Sequence, residues 1–160
     1  MLIRPARPED RPAIWSIIGP VIRAGETYTL DRNLTEAAAL GYWFGPDKET
    51  FVAEDGGAIL GTYYMRPNQA GGGSHVCNCG YMTGTAAIGR GVARAMCEHS
   101  LAYARARGYR AMQFNFVVST NTRAVRLWQA MGFAIVGRLP GAFYHPDRGD
   151  VDALVMFRPL

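Results

Sequence analysis

The feature that most constrains the fold is a strand that runs through a loop of small residues into a long helix. The segment Tyr81-Met82-Thr83-Gly84-Thr85-Ala86-Ala87-Ile88-Gly89-Arg90-Gly91-Val92-Ala93-Arg94 ends one apolar run and begins a pattern of helical period. The first four amides of a helix lack internal acceptors, and the helix dipole adds partial positive charge there. A phosphate group can bind such amides when no side chain blocks its approach. The segment therefore predicts an anion site at a helix N-terminus.

This pattern fits more than one kind of loop when it is taken alone. Gly89 and Gly91 are compatible with a plain glycine-rich turn, and Gly89, Gly91 and Ala93 leave room for a phosphate while Arg90 and Arg94 add charge. A dinucleotide-binding fingerprint would need a third glycine where Arg94 stands. A P-loop would need a Gly-Lys-Ser/Thr sequence, which does not follow.

Hydrophobic patterns predict strands and helices on either side of this segment. The predicted strands are Leu2–Ala6, Thr50–Glu54, Ala58–Met65, His75–Thr83, Ala111–Val118, Phe133–Leu139 and Asp152–Arg158. Four helices are predicted. Asp10 caps the first, whose buried stripe contains Ile14, Ile17, Ile18, Val21 and Ile22. The other three are Thr35–Phe44, Gly91–Arg107 and Asn121–Met131. This order, βααβββαβαββ, predicts a single α/β domain over residues 1–160, with a mixed sheet of about seven strands and helices on both faces.

Composition and charge argue against several classes of protein. Hydrophobic residues make up 49% and charged residues 19% of the chain, which is ordinary for a globular protein. No apolar run approaches the roughly 18 residues of a membrane span, and the N-terminus has no apolar signal region. The net charge of +4 is too small, and the basic residues too scattered, for a nucleic-acid site. We therefore expect a cytoplasmic protein without nucleic-acid or membrane partners.

The three cysteines fit neither a disulfide framework nor a metal site. Cys77, Cys79 and Cys97 are too few and too irregularly spaced for a disulfide framework. His75, Cys77 and Cys79 share a strand face, but alternate residues lie roughly 6.6–6.8 Å apart. Ligands of one zinc ion must be much closer together. The sequence therefore predicts buried thiols and no metal.

A second motif follows the next predicted strand. Asn121-Thr122-Arg123-Ala124-Val125-Arg126-Leu127-Trp128-Gln129-Ala130-Met131-Gly132-Phe133 begins a helix and ends at a glycine. An ordinary capped amphipathic helix would use most of the same residues. Together with Ile88-Gly89-Arg90-Gly91-Val92-Ala93, however, this segment resembles the two cofactor-binding motifs of the GNAT acetyltransferase superfamily. The resemblance covers nearly the whole chain and is strongest from His75 to Phe133.

The resemblance implies acetyl-CoA as a cosubstrate and assigns roles to named residues. The backbone of Gly89, Arg90, Gly91, Val92, Ala93 and Arg94 would hold the CoA pyrophosphate. Tyr81, Met82 and Thr83 would pair their backbone with the pantetheine arm, and Asn121 would hydrogen-bond that arm. Trp128 would lie near the thioester sulfur, and Ala124 would also contact the cofactor. Two residues depart from the family's pattern. Ile88 replaces a glutamine or arginine, and Trp128 replaces a tyrosine that commonly protonates the departing thiolate, a task for which an indole N–H is not acidic enough.

Acetyl transfer to an amine needs a proton acceptor for the amine, and a proton donor to the thiolate helps. Glu26, in the loop after the first helix, is our candidate base, although a solvated loop glutamate would look the same. Tyr144, in the predicted loop Pro140–Pro146, is our candidate acid, although it equally suits an aromatic anchor of that loop.

The predicted function is an N-acetyltransferase that acts on a primary amine of a small molecule, such as an amino acid, a polyamine or an antibiotic-like amine. Acetylation of protein N-termini or lysines is an alternative within the same class. A CoA-binding sensor without turnover and a nucleotide-binding enzyme are alternatives from other classes. A homodimer that pairs through edge strands is also plausible.

Overall fold

The computed structural model describes all residues, 1–160, and contains the predicted elements in the predicted order. The strands are β1 (Leu2–Pro5), β2 (Glu49–Asp55), β3 (Ala58–Pro67), β4 (Val76–Thr83), β5 (Ala111–Val118), β6 (Ala134–His145) and β7 (Gly149–Pro159). The helices are α1 (Arg11–Ala24), α2 (Glu36–Trp43), α3 (Val92–Ala106) and α4 (Thr122–Ala130). None of these helices is both long enough and apolar enough to cross a membrane.

All seven strands form one mixed sheet in the order β1-β2-β3-β4-β5-β7-β6. Every neighbouring pair is antiparallel except β4 and β5, which run parallel. Parallel neighbours need a crossover connection, and α3 supplies it. The predicted α/β class and the mixed seven-stranded sheet are confirmed.

Helices cover both faces of the sheet, and each face has its own apolar core. On one face α1 and α2 pack against the sheet through side chains that include Ile14, Ile18 and Trp43. On the other face α3 and α4 contribute, among others, Met96 and Trp128. The predicted stripe of α1 is buried except at Val21, which is half-buried and borders a cleft described below.

Asp10 has a different role from the predicted helix cap. Its carboxylate accepts no hydrogen bond from the first turn of α1. It accepts instead from the Arg4 guanidinium at 2.7 and 3.0 Å and from the Arg7 amide at 2.7 Å. The hydrogen bond from Arg4 holds the pKa of Asp10 below its usual range. Asp10 therefore ties the start of α1 to β1, a tertiary contact that a local capping pattern does not reveal.

The C-terminal hairpin is longer than predicted. The predicted loop at 140–146 belongs for the most part to β6, which continues to His145 with irregularities between Ile135 and Gly137 and between Leu139 and Phe143. Pro140 and Gly141 interrupt the strand pattern in the sequence, but β6 is the edge strand of the sheet, where such residues are tolerated.

The three cysteines are free and buried, as predicted. Burial raises the pKa of Cys97 to about 12 and raises the pKa of Cys79 well above its ordinary value. Cys79 and Cys97 therefore stay protonated, and all three buried side chains act as apolar core groups.

Candidate active site

The main feature of the site is a gap in the middle of the sheet, where β4 and β5 separate. Their ladder consists of two residue pairs, Val76 with Ala111 and Cys77 with Met112. Where the ladder ends, the Asn78 side-chain amide donates to the Gln113 carbonyl at 2.9 Å. Beyond this bridge the two strands diverge, so the sheet opens toward the carboxyl end of β4.

The alternation of hydrogen bonds along β4 shows which backbone groups face this gap. The carbonyl of Val76 accepts from Asn68 and the amide of Gly84 donates to Leu60, both at 2.8 Å, so even-numbered residues of β4 pair with β3. Odd-numbered residues of an antiparallel strand point the other way. The backbone groups of Cys79, Tyr81 and Thr83 therefore face the gap without a partner in β5.

A cleft of about 550 Å³ occupies the gap. Seven of the residues predicted to bind the cofactor line it, and they come from both strand β4 and helices α3 and α4: Tyr81, Met82, Thr83, Ala93, Asn121, Ala124 and Trp128. Gly89, Arg90, Gly91, Val92 and Arg94 do not line the cleft itself, but they flank Ile88 and Ala93, which do. The structure thus brings the two predicted motifs together on one cleft.

The N-terminus of α3 presents several amides without hydrogen-bond acceptors in the protein. The amides of Gly89, Gly91, Val92, Ala93 and Arg94 make no backbone or side-chain hydrogen bond. Gly91 is the N-cap residue and has no side chain that could cap the helix. Orphan amides at a helix N-terminus are satisfied by water or by an anionic ligand.

The two arginines at this helix end are exposed, and their contacts are weak. Arg90 lies 3.3 Å from the Asp55 carboxylate, and Arg94 lies 4.0 Å from Glu98. Ion pairs between exposed side chains contribute little to stability. Both guanidinium groups are therefore available to an anion held at the helix N-terminus.

Asn121 and Trp128 occupy opposite ends of α4. The Asn121 side-chain oxygen caps the helix by accepting from the Ala124 amide at 3.3 Å, and its side-chain nitrogen Nδ2 has no partner in the protein. The Trp128 indole is 8% exposed and packs at 5.0 Å, centroid to centroid, against both Tyr81 and Phe114. Asn121 can thus donate a hydrogen bond into the cleft, whereas Trp128 provides an aromatic wall.

Neither of the two predicted catalytic residues lines the cleft. Glu26 is exposed and does not line the cleft, although its neighbours Thr27, Tyr28 and Thr29 do. Tyr144 lies in β6 opposite Asp150, with 72% of its surface exposed, and it does not line the cleft either. The structure therefore does not bring Glu26 and Tyr144 together.

Several residues that line the cleft were not assigned a role from the sequence. They lie on the face covered by α1 and α2 or at the mouth of the gap and include Tyr28, Tyr42, Arg66, Asn78 and Asn115. Tyr28 comes from the α1–α2 loop, and its hydroxyl donates to the Tyr81 carbonyl at 2.9 Å. Polar residues inside apolar strands, as at Arg66 and Asn78, are the one sequence signal that could have identified part of this set.

Tyr64 forms a further part of the same wall. A side chain at Gly80 would lie within 2.8 Å of the Tyr64 ring and hydroxyl, so Gly80 leaves the space that this ring occupies. The Tyr64 and Tyr42 hydroxyl oxygens are 3.3 Å apart. Burial raises the pKa of both Tyr28 and Tyr64. These hydroxyls therefore remain protonated at neutral pH and can act as hydrogen-bond donors.

The donor groups around the cleft fit a long ligand that ends in phosphates. The amides at the start of α3 suit the phosphates, and the unpaired backbone of β4 suits an arm that lies against it as an added strand would. The Tyr81 carbonyl already accepts from Tyr28, but a carbonyl oxygen has a second lone pair. The residues predicted for CoA are thus chemically suited to it.

Known proteins share both the sequence pattern and the fold. The sequence profile of the acetyltransferase (GNAT) family matches residues 16–133. The N-acetyltransferase aca1 of Schizosaccharomyces pombe is 28% identical over 137 residues, which cover 76% of this chain and 66% of that protein. The chain thus spans slightly less than two thirds of that relative's length.

Two solved structures illustrate the likeness of the fold. A GCN5-related N-acetyltransferase from Kribbella flavida is 45% identical, with a TM-score of 0.94 over 99% of this chain and 97% of that one. The putative acetyltransferase yncA from Salmonella typhimurium, solved with acetyl-CoA, is 21% identical, with a TM-score of 0.88 over 100% of this chain and 94% of that one. Because the family profile covers well over half of its residues, the chain belongs to the acetyltransferase (GNAT) family, whose members take the acetyl group from acetyl-CoA.

Proposed function

We propose that this protein transfers the acetyl group of acetyl-CoA to a primary amine of a small molecule by direct attack. The observation that carries the proposal is the gap between β4 and β5, which joins unpaired strand backbone to the free amides at the start of α3. The free amides from Gly89 to Arg94 would bind the pyrophosphate, and Asn121 would donate to the arm. The backbone N–H groups of β4 in the gap would donate to the acetyl oxygen as negative charge develops there.

The size and lining of the cleft support a small acceptor. The whole cleft measures about 550 Å³, and the cofactor arm would occupy part of it, so the space left for an acceptor is smaller. The side of the cleft beneath α1 and α2 is bounded by the rings of Tyr28, Tyr42 and Tyr64. An extended peptide acceptor would need a longer open groove. We therefore rank small amines above protein N-termini and lysines as acceptors.

Proton transfer in this reaction is proposed to use Glu26 and Tyr144. Glu26 would act through water, because only its neighbours in the loop border the cleft. Tyr144 is exposed on the edge strand β6 and would have to approach the cleft from there. Glu26→Gln and Tyr144→Phe test the two assignments through the pH dependence of kcat/KM between pH 6 and 9. Wild-type rates in both variants would remove both residues from the mechanism.

The identity of the cofactor is tested first, by measuring the thermal unfolding of the protein with acetyl-CoA, CoA, ATP or NAD. A ligand present at about 100 times its Kd should stabilise the protein by about 2.7 kcal/mol. Selective stabilisation by the two CoA species supports the proposal. Stabilisation by ATP or NAD instead would favour a nucleotide-binding enzyme.

Turnover separates an enzyme from a sensor that binds CoA. A panel of amines, together with peptides that carry free N-termini or lysines, is incubated with acetyl-CoA while free thiol is measured. Thiol release that depends on a small amine is the expected result. Release with peptides alone would point to protein acetylation, and tight binding of acetyl-CoA without any release would point to a sensor.

We also propose that two copies associate through β6 and that the protein acts in the cytoplasm. Edge strand β6 pairs with β7 alone and carries large exposed apolar side chains at Ile135, Val136, Leu139 and Tyr144. Free cysteines are usual in reducing compartments, which supports the cytoplasmic assignment. Cell fractionation tests the location.

A further inference from the structure

The charge of the cleft wall narrows the choice of acceptor. Arg66 and Arg123 are the charged residues that line the cleft, and its lining contains no Asp, Glu, Lys or His. A polyamine would bring two or more positive charges into this cleft without finding a carboxylate there. An acceptor that carries a negative charge would be attracted instead.

Arg66 lies on the side of the sheet where the acceptor is proposed to bind. It is near the end of β3, directly opposite Asn78 of β4, and shares a strand face with Tyr64, whose side chain packs in the core beneath α1 and α2. The amides at the start of α3 lie on the opposite face, where α3 packs. The group that Arg66 would bind is therefore separate from the pyrophosphate.

The guanidinium of Arg66 has an unused donor. Its Nη1 lies 3.5 Å from the exposed Asp47 carboxylate, which is a weak contact. Its Nε is buried and has no hydrogen-bond partner. A buried donor without an acceptor is costly, and Nε together with one Nη is the edge of the guanidinium that binds a carboxylate through two hydrogen bonds.

A second positive charge stands behind the aromatic wall next to Arg66. The Lys48 ammonium lies 3.5 Å from the centre of the Tyr42 ring and 4.9 Å from that of Tyr64. Burial lowers the pKa of Lys48, Asp47 opposes that shift, and the charge of Arg66 adds to it. The positive charges of Arg66 and Lys48 repel each other at this wall, and a bound anion would stabilise both.

From this arrangement, and resting on the proposed function, we propose that the acceptor is a small amine that also carries a carboxylate, as an amino acid does, and that Arg66 binds the carboxylate. Its amine nitrogen attacks the thioester carbon, so a C–N bond forms and the C–S bond breaks. The nitrogen loses its proton through water to Glu26, and the departing thiolate receives a proton from Tyr144, as in the proposed function. Arg66 would determine specificity without taking part in proton transfer.

The test compares matched acceptors on wild-type protein and on Arg66 variants. Amino acids and their carboxamides are assayed in pairs with acetyl-CoA, and spermidine represents polyamines. Wild type should prefer the acid over its amide by about 10- to 100-fold in kcat/KM, the range expected for one charge-assisted interaction. Arg66→Gln should lose this preference through the KM of the acid, and Arg66→Lys should retain part of it. Arg105→Gln, at an exposed position on α3, is the matched control and should behave as wild type.

Folding is monitored by the stabilisation that acetyl-CoA gives each variant, which Arg66→Gln should preserve. Equal use of acid and amide by wild type, an unchanged preference in Arg66→Gln, or a raised KM for acetyl-CoA alone would each overturn the role of Arg66. Thiol release with spermidine but not with any amino acid would overturn this inference and leave the proposed function standing. If none of the tested amines causes thiol release, both this inference and the proposed function are overturned.

Discussion

Gly89 and Gly91 are required for the conformation of the backbone at the start of α3. Their φ angles are +85° and +78°, in the left-handed region that other residues rarely adopt. A Cβ added at either position would meet no protein atom within 4 Å, so packing does not exclude a side chain there. Gly57, in the turn between β2 and β3, has a φ of +82° and equally open surroundings. It therefore provides a matched comparison.

We expect Gly91→Ala and Gly57→Ala to have similar effects on stability but different effects on binding. Each should lower the free energy of unfolding by about 1 kcal/mol, because alanine is strained at positive φ. Only Gly91→Ala should raise the Kd of acetyl-CoA, since its methyl group enters the space in front of the α3 amides. Urea unfolding and titration calorimetry measure the two quantities. Equal Kd values for the two variants would contradict the assignment of this turn to the pyrophosphate.

Trp128 is predicted to serve as a packing surface and not as a proton donor. Trp128→Phe should therefore keep kcat within about 10-fold of wild type, well below the roughly 100- to 10,000-fold loss expected for a missing acid. Trp128→Ala should lower the free energy of unfolding by about 3–5 kcal/mol, because it empties the space beside Tyr81 and Phe114. Steady-state kinetics and denaturant unfolding provide the comparison. A large loss of kcat in a stable Trp128→Phe protein would show that the indole takes part in chemistry.

At the level of elements, the loop between α1 and α2 is held by two arginines. The Arg23 guanidinium donates to the carbonyls of Arg32 and Leu34, the latter at 2.6 Å, and Arg32 Nε donates back to the Arg23 carbonyl at 2.8 Å. The same loop carries Tyr28, whose hydroxyl reaches the Tyr81 carbonyl in the gap. These contacts position one wall of the cleft.

Arg23→Gln should loosen this loop while leaving the sheet intact. Hydrogen exchange in residues 25–35 should become faster, because the loop loses the two hydrogen bonds donated by Arg23, each worth about 1 kcal/mol. Exchange in β3 and β4 should stay at the wild-type rate. Mass-spectrometric exchange measurements resolve the segments. Unchanged protection of 25–35 would mean that the contacts left in the variant, from Arg32 Nε to the Arg23 carbonyl and from Tyr28 to the Tyr81 carbonyl, are enough to order the loop.

The contact between α3 and β3 should make stability depend on pH. The His99 Nδ1 lies 2.7 Å from the Tyr63 hydroxyl, and burial lowers the pKa of His99 from its ordinary value of 6.5. The unfolded chain therefore binds a proton at a higher pH than the folded protein does. This contribution to stability is present above about pH 6.5 and is lost as the pH falls through the lower pKa of the folded state. Denaturant unfolding between pH 8 and 5 should show the decline in wild type and a smaller decline in His99→Asn; identical profiles would exclude His99 as its source.

At the level of the whole molecule, the exposed edge of the sheet is expected to control association. Val136 is 61% exposed on β6, so Val136→Lys should fold normally while placing a charge where a second copy would pack. Light scattering after size exclusion should show a dimer for wild type and a monomer for the variant. A monomeric wild type, or a variant that remains dimeric, would contradict pairing through β6.

Local patterns predicted most of the fold because each element carries its own periodicity. The apolar stripe of α1 and the glycine that ends α4 are signals between near neighbours, and both lie where the sequence predicts them, with Val21 of the stripe half-buried. The prediction was wrong at 140–146, because whether a stretch with Pro140 and Gly141 continues a strand depends on its place at the edge of the sheet. It was also wrong about Asp10, whose carboxylate is used by Arg4 of β1.

The sequence by itself determined the order of elements, the helix start at 89–94 and the presence of two motifs typical of one family, since these depend on residues adjacent in the chain. Only the tertiary structure decided where β4 leaves β5, which backbone groups that gap exposes, and which distant side chains reach it. Tyr28 contacts Tyr81, and Arg66, whose Nε has no hydrogen-bond partner, lines the same cleft, because strands and loops far apart in sequence are packed against one sheet. Pairings between residues of high sequence separation leave no local signal, and for this reason the wall that Tyr28, Tyr42 and Tyr64 form in the cleft became visible only in the folded molecule.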